Sequence, residues 1–220
     1  DRPADTGAPD STAAGPALAG PLPPSLPDSL RESDFDFAAC RLALTLQGVD
    51  YERMPLLRDA TERDCGIARP LRVSRILPGI ALSGAADLRC DTARALAGWM
   101  REAVVPAAAH LPGAPRIVGI ELGTAWQCRA IVGGASNARL SEHATGNAID
   151  IAGFLLDDGT SLPIRPAPDR GDMAAAFQKA VQGSACLFFS TVLGPGSNAA
   201  HDDHLHLDIK ARRGGFRLCQ

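Results

Sequence analysis

The sequence predicts an α+β domain built on a small, mostly antiparallel sheet flanked by helices. Three observations carry this reading. Helix-like and strand-like stretches are mixed without βαβ regularity, which argues against a parallel sheet. The strand-like stretches are short and set off by Pro and Gly, as in hairpins and meanders. The chain has 220 residues and 45% apolar composition, enough to fill one sizeable core.

Taken in order, residues 1–33 differ from the rest. Pro3, Pro9, Pro16, Pro21, Pro23, Pro24 and Pro27 alternate with Ala, Gly and Ser, and large apolar residues are scarce. Such a segment buries too little surface to offset its ordering entropy and reads as a disordered linker, either a tether or a trimmed tail. The folded domain is expected over 34–220. Phe37 to Leu46 places Phe37, Cys40 and Leu44 on one helical stripe. Arg69 to Leu82 reads as short strands broken by Pro70, Pro78 and Gly79. From Thr92 to about Ala109 a helix is expected, capped by Asp91 or Thr92, with Pro106 kinking or ending it. Arg116 to Leu122 and Ala148 to Phe154 read as strands, the second closed by the turn Asp157–Thr160. Gly133–Asn137 reads as a loop. Asp172 caps a helix that Gly183 should stop, and Leu187 to Leu193 reads as a buried strand.

A formal charge of −3 leaves no electrostatic footprint for nucleic acid. No run of 18 or more apolar residues occurs, so no transmembrane helix is expected. The start at Asp1 rather than Met suggests that an upstream segment was removed. Six cysteines (Cys40, Cys65, Cys90, Cys128, Cys186 and Cys219) stand singly, without a CxxC pair. Their even number and wide spacing suit disulfides in an oxidising compartment, against the alternative of six buried thiols. The preferred pairs are Cys65 with Cys90 and Cys186 with Cys219.

Four of the five histidines fall in two windows, Ser141–Asp150 and His201–Asp208. In Leu205–Ile209 apolar and polar residues alternate, so His204, His206 and Asp208 share one face and Leu205, Leu207 and Ile209 the other. Two imidazoles roughly 7 Å apart suit one metal ligand and one neighbouring group, not two ligands of one ion. In Ala148–Ala152 the parity sets Asp150 opposite buried Ile149 and Ile151. His143, Asp150 and a histidine from the distant strand would give three N/O ligands and an open fourth position, the pattern of a catalytic zinc site.

These residues carry a resemblance. Ser141-x-His143-x-x-Gly146-x-Ala148-x-Asp150, followed by His204-x-His206, resembles the zinc peptidases grouped as lysostaphin, D-Ala-D-Ala metallopeptidase and sonic hedgehog. The triplet His201-x-x-His204-x-His206 is similar to the murein endopeptidase branch. The surroundings resemble more closely the bacterial extensin-like C-terminal domain proteins: Cys128-Arg129, Leu140–His143, Gly146–Asp150, Val192–Gly196 and His204–Asp208. That similarity runs from about Phe35 to Cys219.

The resemblance implies a hedgehog- or D-Ala-D-Ala-peptidase-like fold. It also implies Zn2+ held by His143, Asp150 and His206, with His204 acting beside the metal. Arg129 matches an arginine placed ahead of the Ser-x-His motif, where it could bind a substrate carboxylate or form a structural ion pair. Asp203 stands where some relatives have a Glu, so the general base is either His204 or Asp203. His201 and Asp208 are candidates to fix an imidazole tautomer, and His110 stands apart.

Residue chemistry by itself supports metal-assisted amide hydrolysis; the resemblance supplies the substrate. The expectation is a monomeric, periplasmic or secreted zinc peptidase acting on peptidoglycan stem peptides or cross-links. Two other readings stand beside it: a non-catalytic peptidoglycan-binding module with a structural zinc, and an exported metal-sequestering protein.

Overall fold

A computed structural model describes residues 22–131, 139–166 and 171–220. The loop expected at Gly133–Asn137 and residues 1–21 of the Pro-rich stretch lie outside the described residues. The Ser25 side chain accepts from the Asp28 amide and opens α1 (Leu26–Ser29), ahead of the boundary placed at residue 34. This turn is held to the domain by the Leu26 amide donating to Asp64 Oδ1 at 2.9 Å and by the Arg58–Asp28 pair at 3.0 Å. Ser33 caps α2 (Asp34–Gln47), and Gly48, at φ 75°, closes it.

Then come β1 (Asp50–Arg53), β2 (Leu57–Arg58), β3 (Gly66–Ile67), β4 (Leu71–Leu77) and β5 (Ile80–Leu88). Pro78 and Gly79 form the turn of the long β4–β5 hairpin rather than breaking up short strands. The next helix begins at Cys90, without a side-chain cap from Asp91 or Thr92. It runs as α3 (Cys90–Trp99), a π turn over Met100–Val104, and α4 (Val105–Ala108). Pro106 lacks an N–H, and its ring would crowd the carbonyl four residues back. The widened turn lies just ahead of it, and Pro106 falls in the first turn of α4.

The rest comprises β6 (Ile117–Leu122), a 3-10 turn over Glu142–Thr145, β7 (Ala148–Leu156), β8 (Ser161–Pro163), α5 (Met173–Ala185), β9 (Thr191–Leu193), β10 (Leu205–Asp208) and β11 (Leu218–Cys219). The Asp172 side chain accepts from the Ala175 amide, as its cap reading requires. Gly183 does not stop α5, because buried Val181 and Ala185 straddle it and keep the last turn on the core. The strand expected over Leu187–Leu193 shortens to β9: Leu187 is exposed on the turn after α5, Phe188 is half-buried, and Phe189, Thr191 and Val192 are buried.

The fold is α+β, but the sheet is large and mixed rather than small. Nine strands follow the order β1-β4-β5-β6-β7-β10-β9-β11, with β8 on β7. β5–β6 and β9–β11 pair in parallel, and the other ladders of this sheet are antiparallel. The parallel step is allowed because the helical run α3–α4 carries the chain back across the sheet. Trp99 of α3 packs on Phe154 of β7 and on Phe189, and Phe154 meets Phe177 of α5, which marks the core.

A bulge in β7 matters for the site. Glu121 pairs with Gly153 and Leu122 with Ile151, which leaves Ala152 as an extra residue. Side-chain parity therefore switches there. Ile149 and Ile151 lie in the core, as do Phe154 and Leu156, while Asp150 faces the other side.

Three disulfides form: Cys40–Cys90, Cys65–Cys128 and Cys186–Cys219. The last agrees with the expected pair; Cys65–Cys90 does not form. Cys90 opens α3, which packs on α2 and so faces Cys40, while Cys65 lies beside β3 and reaches the segment preceding the first histidine window.

Candidate metal centre

Each candidate side chain is held by a local device. Ser141 accepts from the His143 amide and starts the 3-10 turn; Gly146, at φ 70°, ends it. A Cβ at Gly146 would lie 2.4 Å from Ile67 Cδ1, so the motif's glycine answers both backbone sign and space. The turn is pinned from outside, because Thr92 Oγ1 donates to the Gly146 carbonyl at 2.9 Å and Trp126 Nε1 to the Ala144 carbonyl at 3.0 Å. His143 thus sits fully buried against the start of β7.

Asp150 on β7 and His206 on β10 are direct partners in the antiparallel ladder. The expected parity holds: Leu205 and Leu207 enter the core, and His206 and Asp208 take the other face. Asp150 Oδ1 lies 3.1 Å from His143 Nε2 and 3.0 Å from His206 Nδ1, and the two ring nitrogens are 3.0 Å apart. These three atoms lie within 4.8 Å of one another and form a group able to hold a metal ion. His143, Asp150 and His206, joined as one ligand set in the sequence reading, are neighbours in the structure.

The far sides of both rings decide the tautomers. His143 Nδ1 meets the Ala125 carbonyl at 2.6 Å, and a carbonyl only accepts, so Nδ1 carries the proton and the Nε2 lone pair faces inward. His206 Nε2 donates to Asp208 Oδ2 at 3.2 Å. Two lone pairs and a carboxylate oxygen would then converge in a buried space, an arrangement that needs a cation at its centre. The donor set therefore fits a metal ion.

Without one, a proton must serve. Burial opposes charge on His206, but hydrogen bonds to the Asp150 and Asp208 carboxylates outweigh it and raise its pKa to about 9. Burial likewise opposes charge on Asp150, yet its bonds to His143 and His206 hold it well below the usual carboxylate range. Asp208 is depressed in the same way: burial opposes its charge, and bonds from His206, Thr191 and the Lys210 amide overcome that.

His204 precedes β10 on a bend. Its Nε2 lies 3.8 Å from Asp150 Oδ1, and its Nδ1 is held by Asp203 at 2.8 Å. Asp203 is 91% exposed at its side chain and reaches the site only through His204. His201 packs against the His204 and His206 rings, and its Nδ1 bonds Asn198 at 2.8 Å. Burial, then the nearby His206 and His204, push its pKa below the ordinary histidine value. Arg129 lines the same cleft of about 480 Å3 with Ser141, Asp150, His201, His204 and His206. Its Nε is engaged by Gln127 at 3.0 Å, and no carboxylate pairs with it among the described residues. His110 lies away from the cluster, exposed after α4.

Sequence reasoning missed the support beneath the first window. Lys210 Nζ meets Glu142 Oε1 at 2.5 Å, Asn147 Nδ2 donates to Glu142 Oε2 at 2.8 Å, and Arg89 donates to Asn147 at 2.7 Å and to Glu32 at 3.0 Å. Glu142 and Asn147 lie inside the quoted motif, which was the only signal available; Lys210, Arg89 and Glu32 gave none.

No curated protein and no solved structure matches the chain. Residues 38–220, which carry both histidine windows, match the family described as Extensin-like protein C-terminus, and the chain belongs to that family.

Proposed function

We propose that this protein is an exported, monomeric, zinc-dependent peptidase that hydrolyses an amide bond in bacterial peptidoglycan stem peptides or cross-links. The observation that carries the reading is the convergence of His143 Nε2, His206 Nδ1 and Asp150 Oδ1, each ring having given its other nitrogen to an acceptor. Two imidazoles and one carboxylate suit zinc, and three protein ligands leave a position for solvent or substrate. Zinc bonds of about 2.0–2.1 Å in a tetrahedral array put neighbouring ligand atoms roughly 3.4 Å apart, close to the spacing found. The likeness of the Ser141–Asp150 and His204–His206 motifs to the D-Ala-D-Ala metallopeptidase group supplies the substrate class. Three disulfides favour an oxidising compartment, and no helix among the described residues is long and apolar enough to cross a membrane.

A bound zinc ion supplies Lewis-acid polarisation of the scissile carbonyl and a water acidic enough to ionise near pH 7. The chain's own groups do the rest. Asp203 holds His204 Nδ1, which leaves His204 Nε2 facing the cleft, where it accepts a proton and returns it to the leaving amine. His201, kept neutral by burial and its neighbours, closes the side of the cleft beside His204. Arg129 offers its remaining guanidinium nitrogens, unpaired among the described residues, to a substrate carboxylate.

The test is mass spectrometry of muropeptides released from purified sacculi by the protein with zinc, with chelator, and with His204→Ala. The expected outcome is product that disappears with chelator and falls at least about 100-fold in the variant, which keeps its metal. A protein that binds sacculi with unchanged metal content and releases nothing is a binding module, and the proposal fails.

A further inference from the structure

A second site lies away from the histidines. In front of α2 and beside the β1–β4 edge, a pocket of about 390 Å3 is lined by Arg31, Arg41, Arg53 and Arg69, with Phe37 at its wall and Asp34 at its rim. It shares no lining residue with the metal cleft. Its lining carries four arginines and one carboxylate, in a chain whose formal charge is −3.

That carboxylate is already engaged. Asp34 pairs with Arg69, whose guanidinium also lies over the Phe37 ring, 5.1 Å from its centroid. Arg41 flanks the same ring at 5.7 Å. Arg31, Arg41 and Arg53 make no direct ion pair among the described residues, and Arg41 Nε is shielded from solvent with no hydrogen-bond partner. Crowded like charges repel, and a buried unpaired donor on a cation costs free energy. A ligand that carries negative charge and accepts N–H bonds from the arginines lining the pocket relieves the repulsion.

We propose that this pocket binds a phosphate group. Arginine forks match phosphate oxygens bidentately, and a phosphate group's negative charge adds to that of the one carboxylate already there. Phe37 fixes two of the guanidinium planes and so lowers the ordering cost of binding. The phosphate belongs either to a soluble ester or to a lipid headgroup, since the pocket chemistry serves both.

The experiment titrates inorganic phosphate into the full chain and follows the melting temperature, with chloride at equal ionic strength as reference. Phosphate raises the melting temperature of the native chain. Arg53→Gln, on an exposed strand residue, and Arg41→Gln each weaken the apparent affinity by roughly tenfold, the loss of one charge-assisted hydrogen bond. Arg94→Gln, on α3 and paired with Asp91, leaves it unchanged. Phosphatidylcholine vesicles with and without phosphatidylglycerol separate the sources. Co-sedimentation that needs the anionic lipid and is lost in Arg53→Gln assigns a headgroup; phosphate binding without it assigns a soluble ester. No response to phosphate or anionic vesicles, or a response unaltered in both arginine variants, overturns the proposal.

Discussion

Asp150 and His206 stand directly opposite each other across the β7–β10 ladder, with Oδ1 and Nδ1 3.0 Å apart. The pair is therefore a property of strand register. A slip of one residue would send one of them into the core. His143 reaches the same point from the 3-10 turn that leads into β7, so one turn–strand unit and one neighbouring strand build the whole group.

Because the metal-free site holds a proton on His206, with a pKa of about 9, ion binding must displace it. Below that value the ion-free state carries one proton more than the ion-bound state. Apparent zinc affinity should therefore rise about tenfold per pH unit between pH 7 and about 9, then flatten. Calorimetry in two buffers of different ionisation enthalpy reads the proton count; zero release at pH 7 would contradict the assignment. In the ion-free fold the same raised pKa contributes stability fully present below 6.5 and lost as pH climbs through about 9.

Asp208 touches no ligand atom of the group, yet its Oδ2 accepts from His206 Nε2 and fixes that ring. Asp208→Asn is expected to weaken zinc binding by roughly 10–100-fold, whereas Asp150→Ala should abolish it. Competition against a chromogenic chelator measures both. Equal affinities for Asp208→Asn and the native chain would remove Asp208 from the site's support.

The Cys65–Cys128 bond closes a separation of 63 residues and lies close to Ala125, whose carbonyl orients His143. Cys65→Ser with Cys128→Ser should lower unfolding stability by roughly 4 kcal/mol in denaturant melts on the loop-closure account. Zinc affinity should fall with it. Unchanged affinity would show that the Ala125 segment is held without the disulfide.

Gly146 combines a positive φ with Ile67 Cδ1 only 2.4 Å from where a Cβ would stand. Gly146→Ala is predicted to cost about 1–3 kcal/mol, read as a lower denaturation midpoint. A neutral effect would mean that neither the positive φ nor the Ile67 contact resists the methyl group.

Zinc that binds only the folded chain stabilises it by mass action. An ion held at about 100 times its Kd contributes about 2.7 kcal/mol, so chelator should lower the melting temperature of the native chain and not that of Asp150→Ala. A chelator effect of equal size in both would place the ion elsewhere.

The local pattern of the chain was enough to specify several features. Alternation in Leu205–Asp208 told core from site, the Phe37, Cys40 and Leu44 stripe marked α2, and α5 announced its start through Asp172. These are short-range effects, decided by side-chain parity, caps and backbone sign. Register, pairing and sheet size are long-range and had no local signature. The bulge at Ala152, the joining of Cys40 to Cys90, the parallel return of β6 beside β5 and the Lys210–Glu142 brace each depend on which distant segment arrives alongside. Only the packed chain decides that, because the free energy of such contacts belongs to pairs of segments and is written in neither alone.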